Sequence, residues 1–211
     1  MKKISLSLGA LGLSLFANPA FAHHPLGGKT PSTFFEGLIS GFAHPVIGLD
    51  HFIFVAAMGI AAVLIGKRVA MPILFVLATL VGAGIHLSSI NLPMAETMIA
   101  LSVATIGWMI LSGRQISVKI YAGLFAAAGL FHGFAYADAI FGAETTPLVA
   151  YLFGFGLIQA CVAVAAGYIV VDLIGKGVKA MDNMPARLSG GMVAGAGMLI
   201  LGEQAIAGIF G

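Results

Sequence analysis

Two histidines and an aspartate fall within eight residues of one another in FAHPVIGLDHF, positions 42–52, a stretch otherwise almost wholly apolar. Ionisable groups are costly in hydrocarbon, so a cluster of them there points to partners or to a task. His44 and His51 are seven residues apart, and Met58 is seven further on. On a continuous helix that spacing puts all three on nearly the same face. Asp50 projects about 100° away, enough to reach a neighbouring helix or to hold an imidazole from the side. Imidazole nitrogens with a carboxylate form a donor set suited to Ni²⁺, Co²⁺, Zn²⁺ or Cu²⁺. A second stretch, FHGFAYAD at 131–138, repeats the His-x5-Asp spacing in His132 and Asp138. Other polar groups have plainer alternatives. His86 could cap its helix toward headgroups, Glu96 could favour a helix N-terminus through the dipole, and Asp138 could be a solvated loop residue. Glu203 and Gln159 could simply bond helix to helix. The single cysteine, Cys161, permits no intrachain disulfide and reads as a small buried apolar residue.

The elements that must position these groups are membrane helices. Hydrophobic residues are 60% of the 211-residue chain and charged residues 9%, against about 25% charged in an ordinary soluble domain. Mean hydropathy is +1.06. The net charge of +2 is too small, and its basic residues too scattered, to suggest a nucleic-acid partner. Lys2 and Lys3, the apolar run ISLSLGALGLSLF and the small-x-small end Ala20-Phe21-Ala22 read as a secretory signal peptide over residues 1–22. Cleavage there would expose His23 and His24 beside a new amine, a candidate outer metal collector.

Six apolar segments of span length follow, at 45–65, 69–88, 94–112, 117–137, 147–174 and 189–210. The fifth is overlong, so it tilts or starts late. The apolar run that begins at Phe34 is too long for one crossing, and His44-Pro45 is the expected break, since proline fits the start of a new helix. The expected fold is all-α: a polytopic membrane protein with six transmembrane helices after a cleaved signal peptide. Residues 1–22 are the signal, 23–44 a periplasmic segment with a short interfacial helix, and 45–211 the six-helix transmembrane domain. Lys67, Arg68, Arg114, Lys119, Lys176, Lys179 and Arg187 fall in loops on one side, and only Lys29 on the other. Basic loops stay inside, so both mature termini are periplasmic and the membrane is a bacterial inner membrane. That topology gathers His44, Asp50, His51, His86, Glu96, His132, Asp138 and Glu203 in the outer half, and leaves Asp172 near the inner end. Convergence from distant positions marks a site, and its depth marks it as a capture site.

Signal peptide, six spans, HPVIGLDH in the first span, LPMAE leading into the third and FHGFAYAD in the fourth together resemble the HupE/UreJ family over essentially the whole mature chain. The resemblance implies secondary permeases for nickel, some for cobalt, that serve maturation of [NiFe] hydrogenase or urease. It carries metal-associated roles onto His44, Asp50, His51 and His132. The family's fourth-span motif usually reads His-Gly-x-Ala-x-Gly-Glu, whereas Ala137 and Asp138 occupy the last two places here. The metal-site candidates are therefore His44, Asp50, His51, His132, Asp138, His86 and Glu96, with Ni²⁺ or Co²⁺ as transported ion and no permanently bound cofactor. A homo-oligomer is admitted. No Walker motif is present, so the expected drive is the inside-negative potential, about 4.6 kcal/mol per 100 mV for a divalent cation. The rival readings are an intramembrane zinc hydrolase, a b-type haem protein and a non-transporting accessory factor; the chain is not expected to be an enzyme.

Overall fold

A computed structural model describes residues 29–174 and 183–210. Those residues form seven helices and no strand: α1 Phe34–Ile47, α2 Leu49–Leu64, α3 Ala70–Leu87, α4 Ala95–Leu111, α5 Val118–Asp138, α6 Thr145–Ile174 and α7 Met184–Phe210. The signal peptide, His23, His24, Lys176 and Lys179 lie outside the described residues. Helices α3, α5, α6 and α7 are each long and apolar enough to cross a membrane, and α1 with α2 passes as one pair bent by 78°. Helix α4 is apolar but shorter, at 17 residues.

Local chemistry sets these limits. Thr33 and Glu36 close a reciprocal capping box at the start of α1. Gly66 after α2 and Gly113 after α4 take positive φ, the left-handed turn that ends a helix without a Cβ clash. Helix α6 does not start late. It begins at Thr145, tolerates Pro147 in its first turn, and runs unbroken for 30 residues, about 45 Å.

The break in the first apolar run is not at His44-Pro45. Helix α1 continues through Pro45 to Ile47, and the chain turns at Gly48, which has φ −67° and ψ 103°. Pro45 sits in the last turn, where a missing N–H removes only one bond of a helix already ending. Gly48 still donates to the His44 carbonyl at 3.1 Å, and its own carbonyl receives Phe52 N–H at 2.8 Å. One residue therefore changes direction while both helices keep their ladders.

Helices α1 and α2 both lie along α6, and both advance in its direction. Gly37 abuts Pro147, Gly41 abuts Tyr151, Gly59 abuts Ala163, and Gly167 meets Val63. The pair thus travels forward rather than doubling back. From Pro147 to Gly167 α6 rises about 30 Å, the thickness of the hydrocarbon layer. Helices α3 and α5 also run parallel: Phe75 and Ala78 lie against Gly129, and further along His86 meets Phe134 and Asp138. Helices α4 and α7 run antiparallel, through Gly107 on Ala194 and Gly190 on Leu111. At most of these crossings an added methyl would collide with a neighbouring backbone, so the small residues set how closely the helices approach.

Large apolar side chains such as Ile73, Leu77, Val81, Trp108, Phe153 and Leu199 face outward. Cys161 is also exposed, contrary to the expected burial: it is two residues from the buried Gln159, and residues two apart on a helix point about 200° from one another. Met58 lies in the apolar core with Phe54, Phe75 and Phe125.

Candidate metal site

The bend at Gly48 is where the polar residues of the interior collect. Around it lie His44 at the end of α1, Asp50 and His51 in the first turn of α2, and His132 and Tyr136 from α5. His44 and His51 are 2% exposed, Asp50 7% and His132 0%. The ring centroids of His44 and His51 are 5.9 Å apart, and those of His51 and His132 4.9 Å. The Tyr136 ring packs against both, 4.5 Å from His51 and 5.3 Å from His44. Phe54 covers His132 at 4.6 Å. The heptad spacing that predicts a shared face for His44 and His51 presumes a continuous helix; their closeness comes from the bend instead.

Hydrogen bonds assign the protons. The Tyr151 hydroxyl donates to the Tyr136 carbonyl at 2.6 Å, so its oxygen receives the Nδ1–H of His44 at 3.0 Å. The Ser102 hydroxyl donates to the Ile99 carbonyl at 2.7 Å, so its oxygen receives the Nε2–H of His132 at 3.1 Å. Neutral His132 then has its lone pair on Nδ1, which accepts Nδ1–H of His51 at 2.9 Å. In their neutral forms His44 and His51 both carry the lone pair on Nε2. Donation through one ring nitrogen is how a ligating histidine is oriented and its other nitrogen made more basic. Asp50 Oδ1 accepts the backbone N–H of His51 at 2.8 Å, which holds the carboxylate beside the imidazoles.

Ser102, Tyr136 and Tyr151 are thus part of the site, although their spacing in the sequence marks none of them. Tyr151 joins three helices through one oxygen. The only sequence signal lay in Tyr136, inside FHGFAYAD.

The other candidates lie elsewhere. His86 Nε2 is 3.9 Å from Asp138 Oδ1, with side chains 19% and 66% exposed. The His86 ring stacks edge-on against Phe134 and Phe141 at the end of α5. Glu96 is exposed, and its backbone carbonyl receives Gln204 Nε2 at 3.2 Å. Glu203 and Asp172 are exposed as well. The structure therefore brings together His44, Asp50, His51 and His132, pairs His86 with Asp138, and leaves Glu96 with α7. Among the described residues, no three His, Cys, Asp or Glu side chains already stand in a metal-holding arrangement. The facing nitrogens of His51 and His132 are bonded to each other, so an ion drawing on both rings must first open that bond.

A family model described as HupE / UreJ protein matches residues 11–200. The chain is 31% identical over 209 residues to Protein HupE of Rhizobium leguminosarum bv. viciae, covering 94% of this chain and 97% of that one. No solved structure matches. A whole-length match of this kind, on a helical chain whose two His-Asp motifs place three imidazoles and a carboxylate in one buried cluster, makes this chain a member of the HupE/UreJ family.

Proposed function

We propose that the chain is a secondary permease that carries a divalent transition-metal cation, Ni²⁺ foremost, from periplasm to cytoplasm, to supply a hydrogenase or a urease. One observation carries this reading: three fully or nearly fully buried imidazoles and an aspartate surround the break of a discontinuous helix pair. Transporters place ion sites at such breaks, where irregular backbone faces protein rather than lipid. The donor set is borderline in softness, as Ni²⁺ and Co²⁺ require. Imidazoles already bonded to one another favour passage over permanent retention, because each bond the ion replaces must re-form when it leaves.

In this reading the protein has six spans and lies in the inner membrane. The forward course of α1 and α2 along α6 supports one crossing for that pair, and the parallel and antiparallel pairings agree with strict alternation of the spans. His86 and Asp138 would then meet the ion first, at the periplasmic rim. The test is uptake of Ni²⁺ into proteoliposomes under an inside-negative potential. The wild-type chain is expected to load the vesicles, and His51→Ala to load them no faster than protein-free lipid. Equal rates for the two proteins would overturn the reading.

A further inference from the structure

We propose that Gln159 is an inner resting point on the ion's route, where its amide oxygen accepts hydrogen bonds from the water shell of the cation after it leaves the imidazoles. The inference rests on the permease reading and adds a site to it. Gln159 is 0% exposed, in the middle of α6. Its Nε2 donates to the Phe155 carbonyl at 2.9 Å, which fixes the amide's orientation. Its Oε1 is buried and has no protein donor within reach. The hydroxyl of Tyr136 is also without a partner, but its ring lies at the level of His44 and His51. Buried acceptors are almost always satisfied, and an orphan on the face of α6 that covers the broken pair calls for an explanation.

The register of α6 supplies it. Tyr151, Phe155, Gln159 and Ala163 recur every four residues, so they share one face. Tyr151 bonds His44, Phe155 packs on the Tyr136 ring at 5.4 Å, and Ala163 abuts Gly59 of α2. Gln159 therefore stands on the face that covers the broken pair, one turn beyond the imidazole level. One turn further, Ala163 lines an open cleft of about 120 Å³ together with Val63, Gly167 and the exposed Arg68, Val69, Val164 and Tyr168. The Gln159 oxygen thus lies between the imidazole level and that cleft along α6. Neutral oxygens suit such a step. They accept from the acidic waters of a cation, but lack the charge that would hold it.

Leucine matches glutamine in size, so Gln159→Leu removes the orphan acceptor without opening a cavity. Initial rates of Ni²⁺ entry into proteoliposomes would be measured across a range of Ni²⁺ concentrations for wild type, Gln159→Leu and Gln159→Glu, with Ni²⁺ affinity of the solubilised proteins taken by calorimetry. Loss of one hydrogen bond to a charged species predicts a maximal rate about tenfold lower for Gln159→Leu with KM and affinity little changed. Gln159→Glu, which puts a charge where the hydrated cation pauses, is expected to lower KM and the maximal rate together. Wild-type rates in both variants would overturn the inference while leaving the permease reading intact. So would a rise in KM matching that of His51→Ala, which would make Gln159 a support of the imidazoles. If Gln159→Leu fails to reach the membrane, Gln159→Glu decides, and wild-type kinetics there would overturn the inference. A wild-type protein that moves no Ni²⁺ would overturn the permease reading itself, and this inference with it.

Discussion

His44 with Asp50 and His132 with Asp138 have the same spacing in the sequence and opposite fates in the fold. Between the first two the chain turns at Gly48, and Asp50 comes to lie 7% exposed, its carboxylate on the backbone of His51. The second two belong to one unbroken helix, Val118–Asp138. Six residues on such a helix separate side chains by about 120° around the axis and about 9 Å along it. His132 is accordingly sealed inside, while the Asp138 side chain is 66% exposed and meets His86 at the rim. A break in a helix can turn sequence neighbours toward one centre; a regular helix distributes them. The inner cluster is buried and linked by hydrogen bonds, and the rim pair is partly exposed and loosely coupled. Charge in the first is costly and specific, and in the second cheap and replaceable.

The comparison is broken most directly by truncating one member of each pair. At matched abundance in the membrane and limiting Ni²⁺, His132→Ala or Asp50→Ala is expected to cut uptake on the order of a hundredfold, since each removes a buried partner. His86→Ala should change KM by no more than about threefold, as for an exposed pair. The reverse order would place the working site at the rim.

A smaller effect sharpens the inner half. Tyr151→Phe and Ser102→Ala leave every imidazole in place but remove the oxygens that receive His44 Nδ1–H and His132 Nε2–H. Loss of such an orienting partner is expected to weaken Ni²⁺ binding about tenfold. Calorimetry on solubilised protein reads this directly, and unchanged affinity in both variants would reject the proton assignment.

The smallest effect is expected at Asp138. Asp138→Glu moves the carboxylate by only about 1.5 Å on an exposed side chain. Its nickel-to-cobalt uptake ratio should stay within about twofold of wild type, as should that of Asp138→Asn. A larger shift in competition uptake would draw Asp138 into the inner site.

Much of this was legible in the chain. Charge at 9% and long apolar runs require membrane helices, because no water-soluble core could hide that surface. Each of the six apolar segments contains a helix, with ends close to those read from glycines, prolines and polar loops, since caps and breakers act locally. The residue types of the site were legible too, because histidine and aspartate in hydrocarbon are conspicuous.

Only the tertiary structure decided how those residues meet. It put the turn at Gly48 rather than at His44-Pro45, and so aimed His44, Asp50 and His51 at one another. It brought Tyr151 and Ser102, whose spacing carries no signal, against His44 and His132, and moved Asp138 and Glu96 away from them. The physical reason is one of range. Helix formation depends on residues a few positions apart, and these are written side by side in the chain. Which faces come together depends on where backbones can touch, and that was set by glycines at Gly41, Gly59 and Gly133 against partners some 50 to 110 residues away.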